Sequence, residues 1–75
     1  MKINYREMKL DLIRMLTNSL ENACAYHATG EKDLFHDHAG KAESLRIVLE
    51  DYFDYDSSNY SEHIINMWEI IDEEW

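Results

Sequence analysis

The side chains best suited to holding a metal ion in this 75-residue sequence are a single cysteine and four histidines. Cys24 and His27 are three residues apart, so on a helix they would share one face and could bind the same ion. His36 and His38 would point away from each other on a helix, so only one of them could complete the site. One hypothesis is therefore a metal-binding regulator that uses Cys24, His27 and His38. The other, which we adopt, is a buried thiol with hydrogen-bonded histidines and no cofactor.

Two further patterns contain only part of what a catalytic site or a calcium site needs. Cys24 and His27 are the only neighbouring nucleophile and base, and they fall on an apolar face that offers no cleft for a substrate. Residues 54–62 begin like a calcium loop, but Asn59 stands where that loop needs glycine and Ile65 where it needs an acid. We predict that the protein is not an enzyme.

Acidic residues dominate the last part of the chain. Seven basic and sixteen acidic residues give a net charge of −9, and all seven basic residues lie at or before Arg46. Seven acidic residues balance them there, so the whole net charge belongs to the stretch after Arg46. The acidic residues of that stretch are Glu50, Asp51, Asp54, Asp56, Glu62, Glu69, Asp72, Glu73 and Glu74. Phosphate groups would repel such a chain, so we predict that it binds neither nucleic acid nor a membrane directly.

Aromatic residues are concentrated in the same stretch, which holds six of the nine in the chain. A negative field steers basic surfaces into contact, and aromatic side chains can then anchor the partner. The residues that we expect to contact a partner are Asp54, Asp56, Glu62, Trp68, Glu69, Asp72, Glu73, Glu74 and Trp75.

Three of these carboxylates are placed where they cost stability. Asp72, Glu73 and Glu74 lie at the end of the last predicted helix, where the helix dipole disfavours negative charge by about 0.3–1 kcal/mol per residue. We expect Lys32 and Lys41 to be the only cations that could pair with them. A costly arrangement without compensation often has a functional reason, so we interpret this end as a contact surface.

These features lead to one principal functional hypothesis. We expect a small acidic, non-enzymatic binding or inhibitor protein whose partner presents a basic, nucleic-acid-handling surface. Carboxylates spaced along a helix can imitate phosphates, and in composition alone the chain resembles the small acidic proteins that phages and mobile elements direct against host nucleic-acid enzymes. The alternatives are a structural or self-assembling helical module, and an acidic surface that only keeps the protein soluble.

Glycine and polar residues divide the chain into three predicted helices, at about 5–28, 32–53 and 60–74. Gly30 and the polar residues 54–59 supply the two breaks. Asn4 with Glu7, and Asn59 with Glu62, have the spacing of capping boxes at the starts of the first and third helices. Gly40 lies inside the second helix, either as a close contact between helices or as a break.

Apolar residues recur at steps of three and four along each segment, which predicts one buried face per helix. The predicted fold is a single all-α domain of residues 1–75, an antiparallel up-down-up bundle of three helices that could dimerise into a larger helical bundle. The first residues resemble no secretion signal, no apolar run is long enough to cross a membrane, and the single cysteine suits a reducing compartment, so we expect a cytoplasmic protein.

Overall fold

The computed structural model describes residues 4–74, and every regular element in that range is helical. The elements are α1 (Tyr5–Thr29), α2 (Lys32–Phe53), a short 3-10 helix (Ser57–Asn59) and α3 (Glu62–Glu74). The predicted all-α class and its three helices are confirmed. Trp75, which the sequence predicts as a contact residue, lies outside the described residues.

Helix α1 begins at the predicted residue and ends one residue later than predicted, at Thr29. The Asn4 side-chain oxygen accepts hydrogen bonds from the amides of Arg6 at 3.0 Å and Glu7 at 3.2 Å, so two amides at the helix start are satisfied. At the other end Gly30 is left-handed, with φ at 77°, and its amide donates to the His27 carbonyl at 3.2 Å. These two residues fix the length of α1.

The start of α3 differs from the prediction. Asn59 does not cap this helix, because its side chain accepts a hydrogen bond from the Asp56 amide at 3.0 Å and closes the short 3-10 helix instead. Helix α3 begins at Glu62, and the Ser61 hydroxyl accepts from the Ile64 amide at 3.3 Å. The pairs Asp56–Asn59 and Asn59–Glu62 have the same spacing and share Asn59. Only the pair Asp56–Asn59 forms.

Helix α2 is continuous through Gly40. The predicted helix at 32–53 is therefore confirmed, and the alternative of a break at Gly40 is wrong. The close-contact interpretation holds for Ala39, which is buried, but not for Gly40, because a Cβ atom built there would meet nothing within 4 Å. Gly40 is a residue of low helix propensity that serves no packing purpose in this chain.

We expect Gly40→Ala to raise the free energy of unfolding by about 0.5–1 kcal/mol, since alanine restricts the unfolded chain and favours the helix. Urea denaturation followed by circular dichroism measures this change. Gly30→Ala is the matched control and should destabilise the protein, because φ at Gly30 is 77°. Destabilisation by Gly40→Ala would contradict the continuous, open course of α2.

One hydrophobic core joins all three helices. Helices α1 and α2 pack along their length: the Tyr5 ring stacks on Phe53 at 4.9 Å, and Tyr26 stacks on His38 at 5.3 Å. Helix α3 and the linker before it close the core. Its buried residues are Leu16, Leu20, Ala23, Phe35, Ala39, Ala42, Leu49, Phe53, Tyr55, Ile64, Met67, Trp68 and Ile71.

Candidate acidic contact surface

Helix α3 separates its apolar residues from its acidic ones. Ile64, Met67, Trp68 and Ile71 are buried. Four exposed carboxylates lie at spacings of seven, three and one residues, which places them together on the outward side of the helix. They are Glu62, Glu69, Asp72 and Glu73, and we call this set the acidic α3 face.

No basic side chain among residues 4–74 forms an ion pair with the acidic α3 face. Lys41, which was expected to pair with the end of α3, lies 3.7 Å from Asp37 on its own helix instead. Lys32 forms no ion pair within the described part of the chain. Glu74, which is not part of this face, has its carboxylate 3.9 Å from Nε2 of His27. The carboxylates of this face are therefore left for solvent or for a partner.

Asp54 and Asp56 lie in the linker before α3 rather than on the acidic α3 face. Asp54 ends α2 in the left-handed conformation, with φ at 51°. The Asp56 carboxylate accepts hydrogen bonds from the Ser58 hydroxyl and amide, and these bonds lower the pKa of Asp56. Both side chains are exposed, but that of Asp56 is already engaged in shaping the linker.

A cavity of about 250 Å³ opens between α2, the linker before α3 and α3 itself, beside the acidic α3 face. Trp68, which was expected to meet a partner, is only 7% exposed and lines this cavity. The guanidinium of Arg46 lies 5.1 Å from the centre of the Trp68 ring, a cation–π contact between α2 and α3. The residues that line the cavity are Arg46, Ser57, Tyr60, Ile65, Trp68, Glu69 and Asp72.

Carboxylates surround the polar groups of this cavity. Burial lowers the pKa of Arg46, but a hydrogen bond to Glu43 and the charges of Glu43 and Glu50 outweigh this effect, and the net shift is upward. Burial and the Glu50 charge raise the pKa of Tyr60. Arg46 therefore stays charged and Tyr60 stays protonated at neutral pH, so both present hydrogen-bond donors.

Three buried polar atoms at the cavity have no hydrogen-bond partner among residues 4–74. They are Arg46 Nε, the Tyr60 hydroxyl oxygen and Trp68 Nε1. The great majority of buried polar groups in proteins are paired, so these three atoms are exceptions in the packing between α2 and α3. Sequence analysis missed this cavity; the one signal in the sequence was two polar-tipped aromatic residues, Tyr60 and Trp68, on an otherwise aliphatic stripe.

The proposed metal ligands do not come together. The Cys24 thiol donates to the Met67 carbonyl at 3.8 Å, His27 faces Glu74, and His38 stacks on Tyr26. Burial raises the pKa of the Cys24 thiol, which keeps it protonated at neutral pH. In the described range, no group of three or more histidine, cysteine or acidic residues is placed to hold a metal ion.

The chain matches no protein family model, and no curated protein or solved structure is significantly similar to it. None of the helices within residues 4–74 combines the length and the apolar character needed to cross a bilayer. Functional inference therefore rests on the residues and their geometry.

Proposed function

We propose that this protein is a small, non-enzymatic binding or inhibitor protein that docks its acidic α3 face onto a basic, nucleic-acid-handling surface of a partner protein in the cytoplasm. The observation that carries the proposal is the set of four exposed carboxylates on one helix face with no basic partner in the described part of the chain. Cations of a partner would supply the missing counter-charges and relieve the repulsion between the carboxylates.

The charge density of the acidic α3 face supports a phosphate-like role. From Glu62 to Glu73 the helix rises by about 16–17 Å, so the four charges are on average roughly 5–6 Å apart along it. One strand of duplex nucleic acid carries one charge per about 3.4 Å. A surface that holds a phosphate backbone would therefore meet a comparable row of negative charges, carried on a rigid helix.

We infer an up-down-up course for the three helices, and it leaves the acidic α3 face pointing outward. The two aromatic stacks between α1 and α2 join the start of each helix to the end of the other. Glu21 lies 3.4 Å from His63 at the start of α3, and His27 lies 3.9 Å from Glu74 at its end. These two pairs support a parallel alignment of α3 with the second half of α1.

Affinity capture tests the proposal. Immobilised protein is mixed with a lysate of the cells that encode it, at low and at high salt, and the bound proteins are identified by mass spectrometry. We expect a basic nucleic-acid-binding protein at low salt that is lost at high salt, since exposed charge pairs are screened. An unrelated acidic helical protein of equal net charge is the control, and recovery of the same partner on both baits would contradict the proposal.

A second candidate function is self-assembly into a homodimer through the hairpin of α1 and α2. The observation that favours it is a set of exposed apolar side chains on these helices, including Met8 and Met15 one heptad apart and Val48 and Tyr52 one turn apart. The α3 stripe does not offer such a surface, because Trp68 and Ile71 are buried in the chain's own core. Capture of a second copy of this chain that stays bound at high salt would favour this function.

A further inference from the structure

Helix α3 occupies one side of the hairpin formed by α1 and α2. On α1 the Cys24 thiol donates to a main-chain carbonyl of α3, and on α2 the Arg46 guanidinium lies over an aromatic ring of α3. A residue two positions further along a helix points about 200° away from the first. Tyr26 and Val48 therefore lie on the opposite side of the hairpin, away from α3.

This opposite side carries an apolar series on both helices. Alternating steps of four and three residues connect its positions, from Met8 to Tyr26 on α1 and from Leu34 to Tyr52 on α2. The Tyr26 ring stacks on His38 at 5.3 Å, which joins the two series into one surface. We call this surface the hairpin stripe. Its apolar members besides the four end residues are Leu12, Met15, Leu45 and Val48.

The apolar side chains of the hairpin stripe are open to solvent. The exposed fraction ranges from 37% at Val48 to 73% at Tyr52, and Met8, Met15 and Leu34 lie between these values. Apolar residues in a heptad series on two adjacent helices form the kind of seam on which a further pair of helices packs. Covering them would remove this apolar surface from water, which favours association.

The size of the hairpin stripe matches one half of a dimer interface. Each series spans 18 residues, a rise of about 27 Å, and two packed helices are together about 20 Å wide. The face is therefore on the order of 500–600 Å², close to the roughly 600–1,000 Å² that each partner buries in an interface of standard size. A second hairpin of the same width covers it, whereas a single helix would cover about half.

The charge distribution favours a second copy of this chain over a strongly charged partner. Apart from His38, the only charged position of the hairpin stripe is Lys41, and its Nζ lies 3.7 Å from the carboxylate of Asp37. The excess negative charge of the chain follows Arg46, and the five acidic residues of α3 are on the far side of the hairpin. Two hairpin stripes can therefore meet without bringing these carboxylates together.

We propose that the hairpin stripe packs against the hairpin stripe of a second copy of this chain, so that α1 and α2 of both copies form a four-helix core. The same surface serves both copies, which relates them by a two-fold axis. Helix α3 then lies on the outside of each copy, and the dimer presents two acidic α3 faces in opposite directions. This inference develops the self-assembly described above, and it holds whether or not the acidic α3 face binds a basic partner.

Sedimentation equilibrium of the purified full chain tests the dimer. We expect a monomer of 9.0 kDa in equilibrium with a dimer of twice that mass, with a dissociation constant on the order of 1–100 μM. Each copy carries a net charge of −9, so salt screens the repulsion between them, and we expect the dissociation constant to fall severalfold from low to high salt. A monomer at every concentration up to about 1 mM, at both salt concentrations, would overturn the proposal.

Two pairs of variants locate the interface. Met15→Glu and Val48→Glu place a carboxylate in the hairpin stripe, and we expect each to raise the dissociation constant about tenfold or more, because a dimer would bury two unpaired charges. Leu10→Glu and Ile47→Glu are the matched controls, since they make the same change in charge at exposed apolar residues outside the series. We expect the controls to stay within about threefold of the native value.

Thermal melting of each variant at a concentration where the native chain is monomeric separates a lost interface from unfolding. All four substituted side chains are exposed, so we expect the monomers to remain folded. Equal effects of the stripe variants and the control variants on dimer formation would overturn the hairpin stripe as the interface.

Failure of the dimer and failure of the proposed docking give different results. A chain that stays monomeric overturns the four-helix core, even if a basic protein is captured through the acidic α3 face. A dimer that Met15→Glu disrupts and Leu10→Glu does not supports the core, and the capture experiment then decides separately whether a basic protein is the partner.

Discussion

Leu20→Ala should lower the free energy of unfolding by about 3 kcal/mol, within the range of about 2–5 kcal/mol for a fully buried leucine. Leu20 is 0% exposed and lies on α1, in the core that all three helices share. A chain of this length has a total stability of roughly 4–11 kcal/mol. The substitution therefore removes a large share of it, and we expect the melting temperature to fall by more than about 10 °C.

Urea denaturation measures this effect directly. Leu10→Ala is the matched control, since it makes the same chemical change on the same helix at a side chain that is 51% exposed. We expect this control to cost less than about 1 kcal/mol, because surface substitutions change stability little. Equal losses of stability in the two variants would mean that Leu20 does not lie on the buried face of α1.

Neutralising the acidic α3 face should abolish most of the affinity for the proposed basic partner. The variant combines Glu62→Gln, Glu69→Gln, Asp72→Asn and Glu73→Gln. If each carboxylate contributes about 0.5–1 kcal/mol, the affinity falls by roughly 30-fold to 1,000-fold. Association at low salt should also be slower, because the negative charges of this face no longer attract the partner's basic surface.

Stability should not fall with affinity in this variant, and this separates a lost contact from unfolding. Asp72 and Glu73 lie in the last turn of α3, where negative charge is unfavourable to the helix dipole by about 0.3–1 kcal/mol each. Glu62 lies in the first turn of α3, where negative charge is favourable by a similar amount. Because the two last-turn changes outweigh the one at Glu62, we expect the melting temperature of the variant to equal or exceed that of the native chain. A variant that melts earlier would show that these carboxylates serve the fold instead.

A second variant with the same change in net charge controls for the overall field. It neutralises four exposed carboxylates of the hairpin, by Glu7→Gln, Asp11→Asn, Asp33→Asn and Asp37→Asn. Both variants change the net charge from −9 to −5, since each removes four negative charges. We expect the control to bind the partner within a fewfold of the native affinity. Equal losses in both variants would mean that net charge, and not the acidic α3 face, determines binding.

Local chemistry made the two ends of α1 predictable. Asn4 and Gly30 act within one helical turn, through a side-chain cap and a left-handed φ, so their effect needs no knowledge of the fold. The start of α3 was predicted incorrectly because Asn59 had two possible partners at equal spacing. The pairing with Asp56, which forms the 3-10 helix, could not be chosen from the pattern alone.

The buried face of α2 shows where simple periodicity fails. Alternating steps of three and four from Phe35 predict Tyr52 in the core, but Tyr52 is 73% exposed and Phe53 is 7% exposed. Phe53 lies 18 residues after Phe35, which is five turns of 3.6 residues, so the two share a face of a straight helix. A repeat of 3.5 residues stays on one helix face only when the helices supercoil. In α2 this repeat has moved off the buried face by Tyr52.

The candidate site was predictable in its charge but not in its cavity. The uneven distribution of carboxylates is a property of the sequence, and the spacing of Glu62, Glu69 and Glu73 places them on one helix face. The cavity depends on Arg46 of α2 meeting Trp68 of α3, a contact made only when the helices pack. Likewise Lys41 pairs with Asp37 one turn away, because a local partner is in reach without ordering a second helix.

The salt dependence of the dissociation constant for the captured partner tests whether the acidic α3 face is the binding surface. It should be measured by titration for the native chain, the variant of the acidic α3 face and the hairpin control. We expect the affinity to fall steeply with salt for the native chain and the control, and the α3 variant to bind weakly with a shallow dependence on salt. The same affinity and the same salt dependence in all three proteins would contradict this expectation.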